Sequence, residues 1–237
     1  MHLLGGGSNV LVRDEGVDGL VIRIAGDAFS AIEVSDNTLT CGAGAMLSQA
    51  ITTAVKHGLA GLESLVGIPG TIGGALRGNA GGRGGDIGRF VSQVTVLTAK
   101  GEIATRTDEL TFSYRKSSLN EPVILDCQLK LQPEDAEKIT QRMKQTWIMK
   151  KATQPLSHQS AGCIFKNPRG MSAGALIEQA GLKGTRIGGA EFSDRHANFL
   201  VTDQQTKSAD VQALILKAQQ AIAEQFGVDL ETEIQIW

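Results

Sequence analysis

The sequence has few of the residues that mark metal-binding, disulfide-rich or nucleic-acid-binding proteins. Its 237 residues include only three cysteines, Cys41, Cys127 and Cys163, and no C-x-x-C pair. This argues against a disulfide framework and a zinc site, and we expect no metal. The 23 Lys and Arg residues nearly balance 25 Asp and Glu, with Lys150-Lys151 as the densest basic cluster. Without a basic excess or stripe, no nucleic-acid partner is predicted.

Long hydrophobic runs are also missing. The apolar stretches are a few residues long, far below the roughly 20 residues that a helix needs to cross a bilayer. The amino-terminal MHLLGGGSN has neither the charged start nor the apolar segment of a signal peptide. We therefore expect a globular, cytoplasmic protein with no membrane partner.

Glycine, in contrast, is abundant and clustered. It accounts for 29 of 237 residues, about 12%, against a usual proportion of about 7%. Nine glycines fall within residues 67–85, and three more open the chain at Gly5, Gly6 and Gly7. The longer segment is interleaved with apolar residues and is poor in serine, which indicates an ordered loop and not a flexible linker.

The spacing of apolar residues predicts a mixture of helices and strands. The predicted helices cover residues 45–57, Pro133 to about Lys151, the stretch between Ser172 and Gly181, and a long segment after Ser208. The predicted strands form a hairpin about Lys100-Gly101 and cover residues 123–131, with Cys127 in the core, and residues 228–236. Because there is no strict βαβ rhythm, we predict an α+β fold with a domain boundary within 120–155, placed at 130/131.

The two glycine-rich segments suit an anionic ligand. Repeated glycines permit positive φ, let backbone N–H groups converge, and leave space for a phosphate. GGGSN lacks the G-x-G-x-x-G spacing and precedes β-type residues, which argues against a Rossmann fingerprint, and neither segment has the lysine of a Walker loop. A tight turn remains an alternative for GGGSN alone. Together the loops favour a pyrophosphate, with side-chain donors at Ser8, Asn9, Thr71 and Asn79.

Five motifs, in order, carry a family resemblance. They are LLGGGSNVLVRDEGVDGLVIRI, GLESLVGIPGTIGGALRGNAGG, FSYRKS, SAGCIFKNP and AGLKGTRIGGAEFSDRHANFLV. From Leu3 to the carboxyl terminus, the chain resembles the UDP-N-acetylenolpyruvoylglucosamine reductases, also called UDP-N-acetylmuramate dehydrogenases, in their shorter form.

The resemblance implies a fold and a reaction. The fold would be an FAD-binding domain of the vanillyl-alcohol-oxidase (PCMH) type in residues 1–130, followed by an α+β substrate domain in residues 131–237. The reaction would reduce the enolpyruvyl ether of UDP-N-acetylglucosamine enolpyruvate to UDP-N-acetylmuramate, for peptidoglycan synthesis, with FAD as cofactor and NADPH as hydride donor. We also expect a monomer.

The resemblance further implies which residues form the site. The expected FAD contacts are Gly5, Gly6, Gly7, Ser8, Asn9, Gly67, Ile68, Pro69, Gly70, Thr71, Gly73, Gly74, Asn79, Ala80 and Gly81. The expected contacts to the sugar nucleotide or the nicotinamide nucleotide are Tyr114, Lys166 and Asn167. For Gly188-Gly189 and residues 196–198, which are strong markers of the family, we expect a structural turn and a hydrogen-bonded histidine.

The chemistry gives roles to three catalytic candidates. Hydride addition leaves negative charge on the substrate carboxylate, so the site must stabilise that charge and protonate the carbon bearing the ether oxygen. Arg115, in FSYRKS, can hold the carboxylate as a planar cation; a surface arginine is the alternative. Glu233, in LETEIQIW, stands where the family has its catalytic glutamate. The alternative for Glu233 is a solvated strand face shared with Glu231, because Thr232 and Gln235 stand where the family usually has Pro and Arg.

Cys163 is a departure from the family pattern. In SAGCIFKNP it stands where most members carry the proton-donating serine. A thiol with a reference pKa near 8.5 is an easier acid than an alcohol and has similar reach, so we predict that Cys163 is the acid. A small core hydrophobe is the alternative.

Two further departures bear on the cofactor. GGGSN begins close to Met1, whereas the family usually has several tens of residues before it, which form a first lobe of the flavin domain. We therefore expect weakened FAD binding, and the alternative function is an impaired homologue that binds the sugar nucleotide without stable FAD. Arg83, in GGRGGDIG, can contact a phosphate or point to solvent.

Overall fold

The computed structural model describes residues 1–82, 84–158 and 160–237, and Arg83 lies outside the described residues. The chain forms two compact units. The first comprises Met1–Gly6 and Gly19–Met149, and the second comprises Gly7–Asp18 and Lys150–Trp237. The compact units thus divide near residue 150, whereas the sequence predicts a domain boundary within 120–155, placed at 130/131.

A five-stranded antiparallel sheet forms the centre of the first unit. In sheet order its strands are Ile103–Arg106, Val91–Leu97, Val123–Lys130, Thr38–Gly42 and Ile32–Ser35. The hairpin about Lys100-Gly101 and the strand in residues 123–131 are therefore confirmed. Cys127 is fully buried, as predicted, and lies directly opposite Cys41 on the neighbouring strand.

Helices and short strand pairs complete the first unit. The α-helices are Asp27–Ser30, Leu47–Lys56, Ile72–Arg77 and Ala136–Thr153, and the 3₁₀ helices are Leu62–Leu65 and Ile87–Phe90. The short strand pairs are His2–Leu4 with Val21–Arg23, Leu59–Ala60 with Gln132–Pro133, Gly81–Gly82 with Gly85–Asp86, and Phe112–Ser113 with Lys116–Ser117. The helix Leu47–Lys56 confirms the prediction for residues 45–57: its apolar stripe, centred on Ala50, Ile51 and Ala54, is buried in the core of this unit.

The long helix Ala136–Thr153 begins three residues later than predicted. Pro133 does not open it, because Gln132–Pro133 pairs as a strand with Leu59–Ala60. Asp135 then accepts the N–H groups of Glu137 and Lys138 and so starts the helix. Most of this helix belongs to the first unit, since Ile139 is fully buried in the first core.

The second unit packs two helices against a small sheet. The helices are Ala173–Gln179 and Ser208–Phe226, and the antiparallel strands are Arg186–Ile187, Ala190–Phe192 and Leu200–Thr202. Both helices were predicted. The Ser172 hydroxyl accepts the Ala175 N–H at the start of the first, and Gly227, with φ of 64°, ends the second in the left-handed conformation.

The carboxyl-terminal segment differs from the continuous strand predicted for residues 228–236. Only Gln235–Ile236 is a strand, and it pairs in parallel with Val10–Leu11. Thr232 instead bridges to Phe165. The alternation itself holds in part, because Leu230 and Ile234 are buried while Glu231 and Gln235 are exposed. The strand is interrupted because its residues pair with two different neighbours.

Two sets of hydrogen bonds hold residues 7–18 in the second unit. In the first, Val10–Leu11 pairs with Gln235–Ile236. In the second, both carboxylate oxygens of Asp14 accept the Ser208 N–H, at 3.0 and 3.1 Å, and the Asp14 N–H is donated to the Ser208 hydroxyl. The hydrogen bond from the Ser208 backbone lowers the pKa of Asp14.

No helix in the described part of the chain combines the length and apolar character needed to span a membrane.

Candidate active site

The two glycine-rich segments touch each other in the first unit. A Cβ atom on Gly5 would lie 2.6 Å from Thr71 Oγ1, and one on Gly6 would lie 2.9 Å from Gly70 Cα. Side chains at these positions would clash, so glycine is required for the backbones to approach this closely. The predicted anion-binding segments are therefore brought together, as a ligand contacting both would need.

The longer segment is held in place by backbone hydrogen bonds. The Gly73 N–H is donated to the Ala43 carbonyl at 2.8 Å, and the Gly70 carbonyl accepts the Leu47 N–H at 3.0 Å. Gly67 and Gly70 have φ of 81° and 110°, a conformation that L side chains rarely adopt. Residues 67–71 thus form an ordered loop that leads into the helix Ile72–Arg77, as expected of a cofactor segment and not of a linker.

The last three residues of the GGGSN motif lie in the second unit. Asn9 donates its side-chain N–H to the Glu233 carbonyl at 3.0 Å, and the Asn9 carbonyl accepts the Gln235 N–H at 2.9 Å. Asn9 therefore contacts the segment that carries a predicted catalytic residue. The FAD contacts expected of Gly7, Ser8 and Asn9 stay predictions.

Asn79, Ala80 and Gly81 are placed against the hairpin that carries Arg115. Asn79 is 2% exposed. Its Nδ2 donates to the Ser113 carbonyl at 2.8 Å and its Oδ1 accepts the Gly88 N–H at 3.0 Å. The Gly81 carbonyl accepts a hydrogen bond from Arg115 Nη1 at 2.9 Å. The sequence did not reveal this link, which joins residues more than thirty positions apart.

Arg115 occupies the tip of a tight hairpin. Phe112–Ser113 and Lys116–Ser117 pair across the two-residue turn Tyr114-Arg115. Arg115 has φ of 57°, a conformation that costs a non-glycine residue about 1–2 kcal/mol. A strained residue with a large charged side chain is typical of functional sites. The exposed Tyr114 ring lies beside the guanidinium, with 5.4 Å between the ring centroid and Arg115 Cζ.

In the second unit, residues 163–166 are held as an extended segment between two others. On one side, the Ile164 N–H is donated to the Asn198 carbonyl at 2.9 Å, and Cys163 bridges to Phe199. On the other side, the Ile164 carbonyl accepts the Glu233 N–H at 2.7 Å, and the Lys166 N–H is donated to the Glu231 carbonyl at 2.9 Å. The structure thus brings the segment of Cys163 together with that of Glu233.

Asn198 is an organising residue that the sequence singled out only as part of a family marker. It is 2% exposed, and its side chain bonds both backbone groups of Phe165, accepting the N–H at 3.0 Å and donating to the carbonyl at 2.8 Å. His196 Nδ1 accepts the Asn198 N–H, which matches the hydrogen-bonded histidine expected here. In the sequence, Asn198 is a polar residue within the mostly apolar run HANFLV, and this pattern is the signal that could have singled it out.

The two carboxylates of the last segment have different surroundings. Glu231, with a side chain 65% exposed, forms an ion pair with Lys166, whose side chain is 17% exposed. Glu233 is half-buried. Asn167, the other predicted substrate contact, accepts the Ala173 N–H through Oδ1 and so fixes the start of the helix Ala173–Gln179. Glu231 is therefore the more exposed of the two carboxylates.

The three thiols also differ in their surroundings. Cys41 and Cys127 are fully buried in the sheet of the first unit. Burial raises the pKa of the Cys41 thiol to about 12 and the pKa of Cys127 well above its usual value. Cys163 is only half-buried. Cys163 is therefore the most accessible of the three cysteines.

Comparison with known proteins identifies the family. The chain is 41% identical over 240 residues to UDP-N-acetylenolpyruvoylglucosamine reductase 2 of Symbiobacterium thermophilum, covering all of this chain and 78% of that relative. It is 40% identical over 238 residues to the corresponding reductase of Bacillus pumilus, covering 99% of this chain and 78% of that relative. The chain belongs to the UDP-N-acetylenolpyruvoylglucosamine reductase family.

Domain models and a solved structure confirm the fold class expected for this reductase family. Residues 1–106 match an FAD-binding domain, and residues 154–237 match the carboxyl-terminal domain of UDP-N-acetylenolpyruvoylglucosamine reductase. The crystal structure of the reductase from Thermus caldophilus superposes with a TM-score of 0.88 at 40% identity, covering all of this chain and 85% of that one.

Within the described residues, no group of three or more His, Cys, Asp or Glu side chains is placed to hold a metal ion.

The contact between the glycine segments predicts how FAD affinity responds to an added methyl group. Gly6→Ala should lower the affinity for FAD at least tenfold, because the new Cβ would displace Gly70. Gly82→Ala is the matched control, since a Cβ there has nothing within 4 Å. Flavin fluorescence titration measures both constants. Equal affinities in the two variants would show that the contact between the segments does not shape the cofactor site.

Proposed function

We propose that this chain catalyses the NADPH-dependent reduction of UDP-N-acetylglucosamine enolpyruvate to UDP-N-acetylmuramate. The observation that carries the proposal is the pairing of residues 163–166 with residues 231–233, which places Cys163 and Glu233 in adjacent segments of the reductase-type carboxyl-terminal domain. When bound, FAD that has been reduced by NADPH supplies a hydride to the terminal carbon of the enolpyruvyl group.

Arg115 stabilises the charge that builds up on the substrate carboxylate. A guanidinium presents several N–H donors in one plane, which suits a carboxylate better than a point charge does. Arg115 Nη1 is bound to the Gly81 carbonyl, so the group is oriented before the substrate arrives. Such preorganisation is what makes electrostatic stabilisation effective.

Cys163 donates a proton to the carbon that bears the ether oxygen, and Glu233, when protonated, donates a hydrogen bond to the substrate carboxylate. The hydrogen bond from Glu233 N–H to the Ile164 carbonyl fixes the two backbones relative to each other. Lys166, Asn167 and Tyr114 contact the sugar nucleotide or the nicotinamide nucleotide. Because Lys166 is paired with Glu231, an anionic ligand at Lys166 competes with that carboxylate.

The proposal includes the setting of the reaction. Residues 1–130 form the FAD-binding domain and residues 131–237 form the substrate domain. The protein acts as a monomer in the cytoplasm, where its product enters peptidoglycan synthesis and so contributes to cell-wall formation, cell shape and division.

Replacing Cys163 tests the proton donor. Cys163→Ser should retain turnover within about tenfold, because the hydroxyl has the same reach. Cys163→Ala should be reduced by NADPH normally and then transfer the hydride to substrate about 10²- to 10⁴-fold more slowly, the usual contribution of a general acid. Rapid-mixing absorbance at the flavin band separates the two half-reactions.

Alkylation provides a second readout for Cys163. A thiol-alkylating reagent should inactivate the parent but not Cys163→Ser, since Cys41 and Cys127 are buried. Near-parental turnover by Cys163→Ala would mean that this cysteine only packs.

Exchanging each carboxylate for its amide tests the choice of Glu233 over Glu231. Glu233→Gln should slow substrate-dependent reoxidation of the flavin by about 10²- to 10³-fold, because an amide N–H is a much weaker acid than a carboxylic O–H and so stabilises the developing charge less. Glu231→Gln is the matched control on the same segment and should stay within about threefold of the parent. The reverse order of the two rates would identify Glu231 as the catalytic carboxylate.

A further inference from the structure

We propose that Asn79 is a positioning residue that holds Arg115 in place for the substrate carboxylate, and this rests on the proposed function of Arg115. The sequence placed Asn79 among the FAD contacts. Its side-chain hydrogen bonds lead to Ser113, in the hairpin of Arg115, and to Gly88, which the Phe112 ring covers.

The hairpin needs outside support to keep its position. Its strands, Phe112–Ser113 and Lys116–Ser117, have two residues each, and an isolated hairpin is at best marginally stable in water. Its location therefore depends on contacts with the rest of the first unit.

Asn79 supplies a contact to the residue directly before the turn. Its Nδ2 donates to the carbonyl of Ser113, the last residue before Tyr114-Arg115, at 2.8 Å. Its Oδ1 accepts the N–H of Gly88 at 3.0 Å. The Phe112 ring lies directly on Gly88, because a Cβ there would fall 2.3 Å from Phe112 Cγ. Asn79 thus fixes both residues of the first strand, one directly and one through Gly88.

The same short stretch also holds the guanidinium. Arg115 Nη1 donates to the carbonyl of Gly81, two residues after Asn79. The Ala80 N–H between them is donated to the Ala75 carbonyl at 2.7 Å, which ties the stretch to the helix Ile72–Arg77. Residues 79–81 therefore contact the hairpin at its backbone and at the catalytic side chain.

A second set of hydrogen bonds secures the returning strand. The Ser117 hydroxyl donates to the Arg77 carbonyl at 2.9 Å, and Arg77 donates to the carbonyls of Leu119 and Glu121. Without Asn79, the hairpin would stay attached on this side and could pivot at the turn. A displacement of about 1 Å at a catalytic group can cost 10²-fold in rate.

The backbone of Asn79 decides which substitutions are informative. Asn79 has φ of 43°, a conformation that asparagine, aspartate and glycine adopt more readily than alanine. Asn79→Gly removes the side chain without backbone strain. Asn79→Asp keeps an acceptor for Gly88 and lacks the donor for Ser113. Asp36→Gly is the matched control, because Asp36 also has positive φ, 51°, in the turn between Ile32–Ser35 and Thr38–Gly42.

The experiment compares FAD affinity and both half-reactions in these variants. Asn79→Gly and Asn79→Asp should bind FAD within about threefold of the parent and be reduced by NADPH at the parent rate. They should transfer the hydride to saturating substrate 10- to 100-fold more slowly. Asp36→Gly should match the parent throughout. A loss of FAD affinity that accounts for the slow turnover would make Asn79 a cofactor ligand and overturn the proposal.

A double-substitution cycle with Arg115 tests the coupling and distinguishes the two proposals. Asn79→Gly should add nothing to the slow reoxidation of Arg115→Ala, because its effect passes through Arg115. Additive effects would overturn the positioning role. If Arg115→Ala is slow while both Asn79 variants match the parent, only the role of Asn79 fails. If Arg115→Ala itself reoxidises at the parent rate, the proposed function of Arg115 fails and this inference fails with it.

Discussion

The side chain of Asn198 takes the place of a neighbouring strand for Phe165. It accepts the Phe165 N–H and donates to the Phe165 carbonyl, and it does so while 2% exposed. Leaving one of these buried groups unpaired would cost about 1–3 kcal/mol. Residues 163–166 are therefore fixed on one side by Asn198 and on the other by residues 231–233. The placement of Cys163, Lys166 and Glu233 depends on this constraint.

The first unit uses the same physical device. Asn79 is equally buried and bonds the backbone carbonyl of Ser113, two residues before Arg115. In both units a buried amide supports a segment too short to be stable as an independent sheet. An amide can bond a donor and an acceptor at once, so it specifies position where hydrophobic packing would tolerate small shifts. The close contact of Gly5 and Gly6 with residues 70 and 71 adds a comparable steric constraint.

The sequence predicted the elements that depend on local patterns. The helices Leu47–Lys56 and Ser208–Phe226 follow from their apolar spacing, and the start of Ala173–Gln179 follows from Ser172. The predictions failed where an element's bounds depend on pairing with residues that are distant in the sequence. The helix predicted from Pro133 starts later because residues 132–133 pair with residues 59–60. The strand predicted for residues 228–236 is interrupted because it has two partners. The supporting roles of Asn79 and Asn198 likewise arise from contacts about thirty positions away.

The central claim is that this chain, with FAD bound, passes a hydride from NADPH to the enolpyruvyl group, and an anaerobic two-step absorbance measurement tests it most directly. NADPH added to the FAD-loaded protein should bleach the flavin band, and UDP-N-acetylglucosamine enolpyruvate should then restore it, yielding one UDP-N-acetylmuramate per flavin. A folded protein that takes up no FAD at high flavin concentration, or whose bleached flavin is not restored by the substrate, would contradict the account and favour a homologue that only binds the sugar nucleotide.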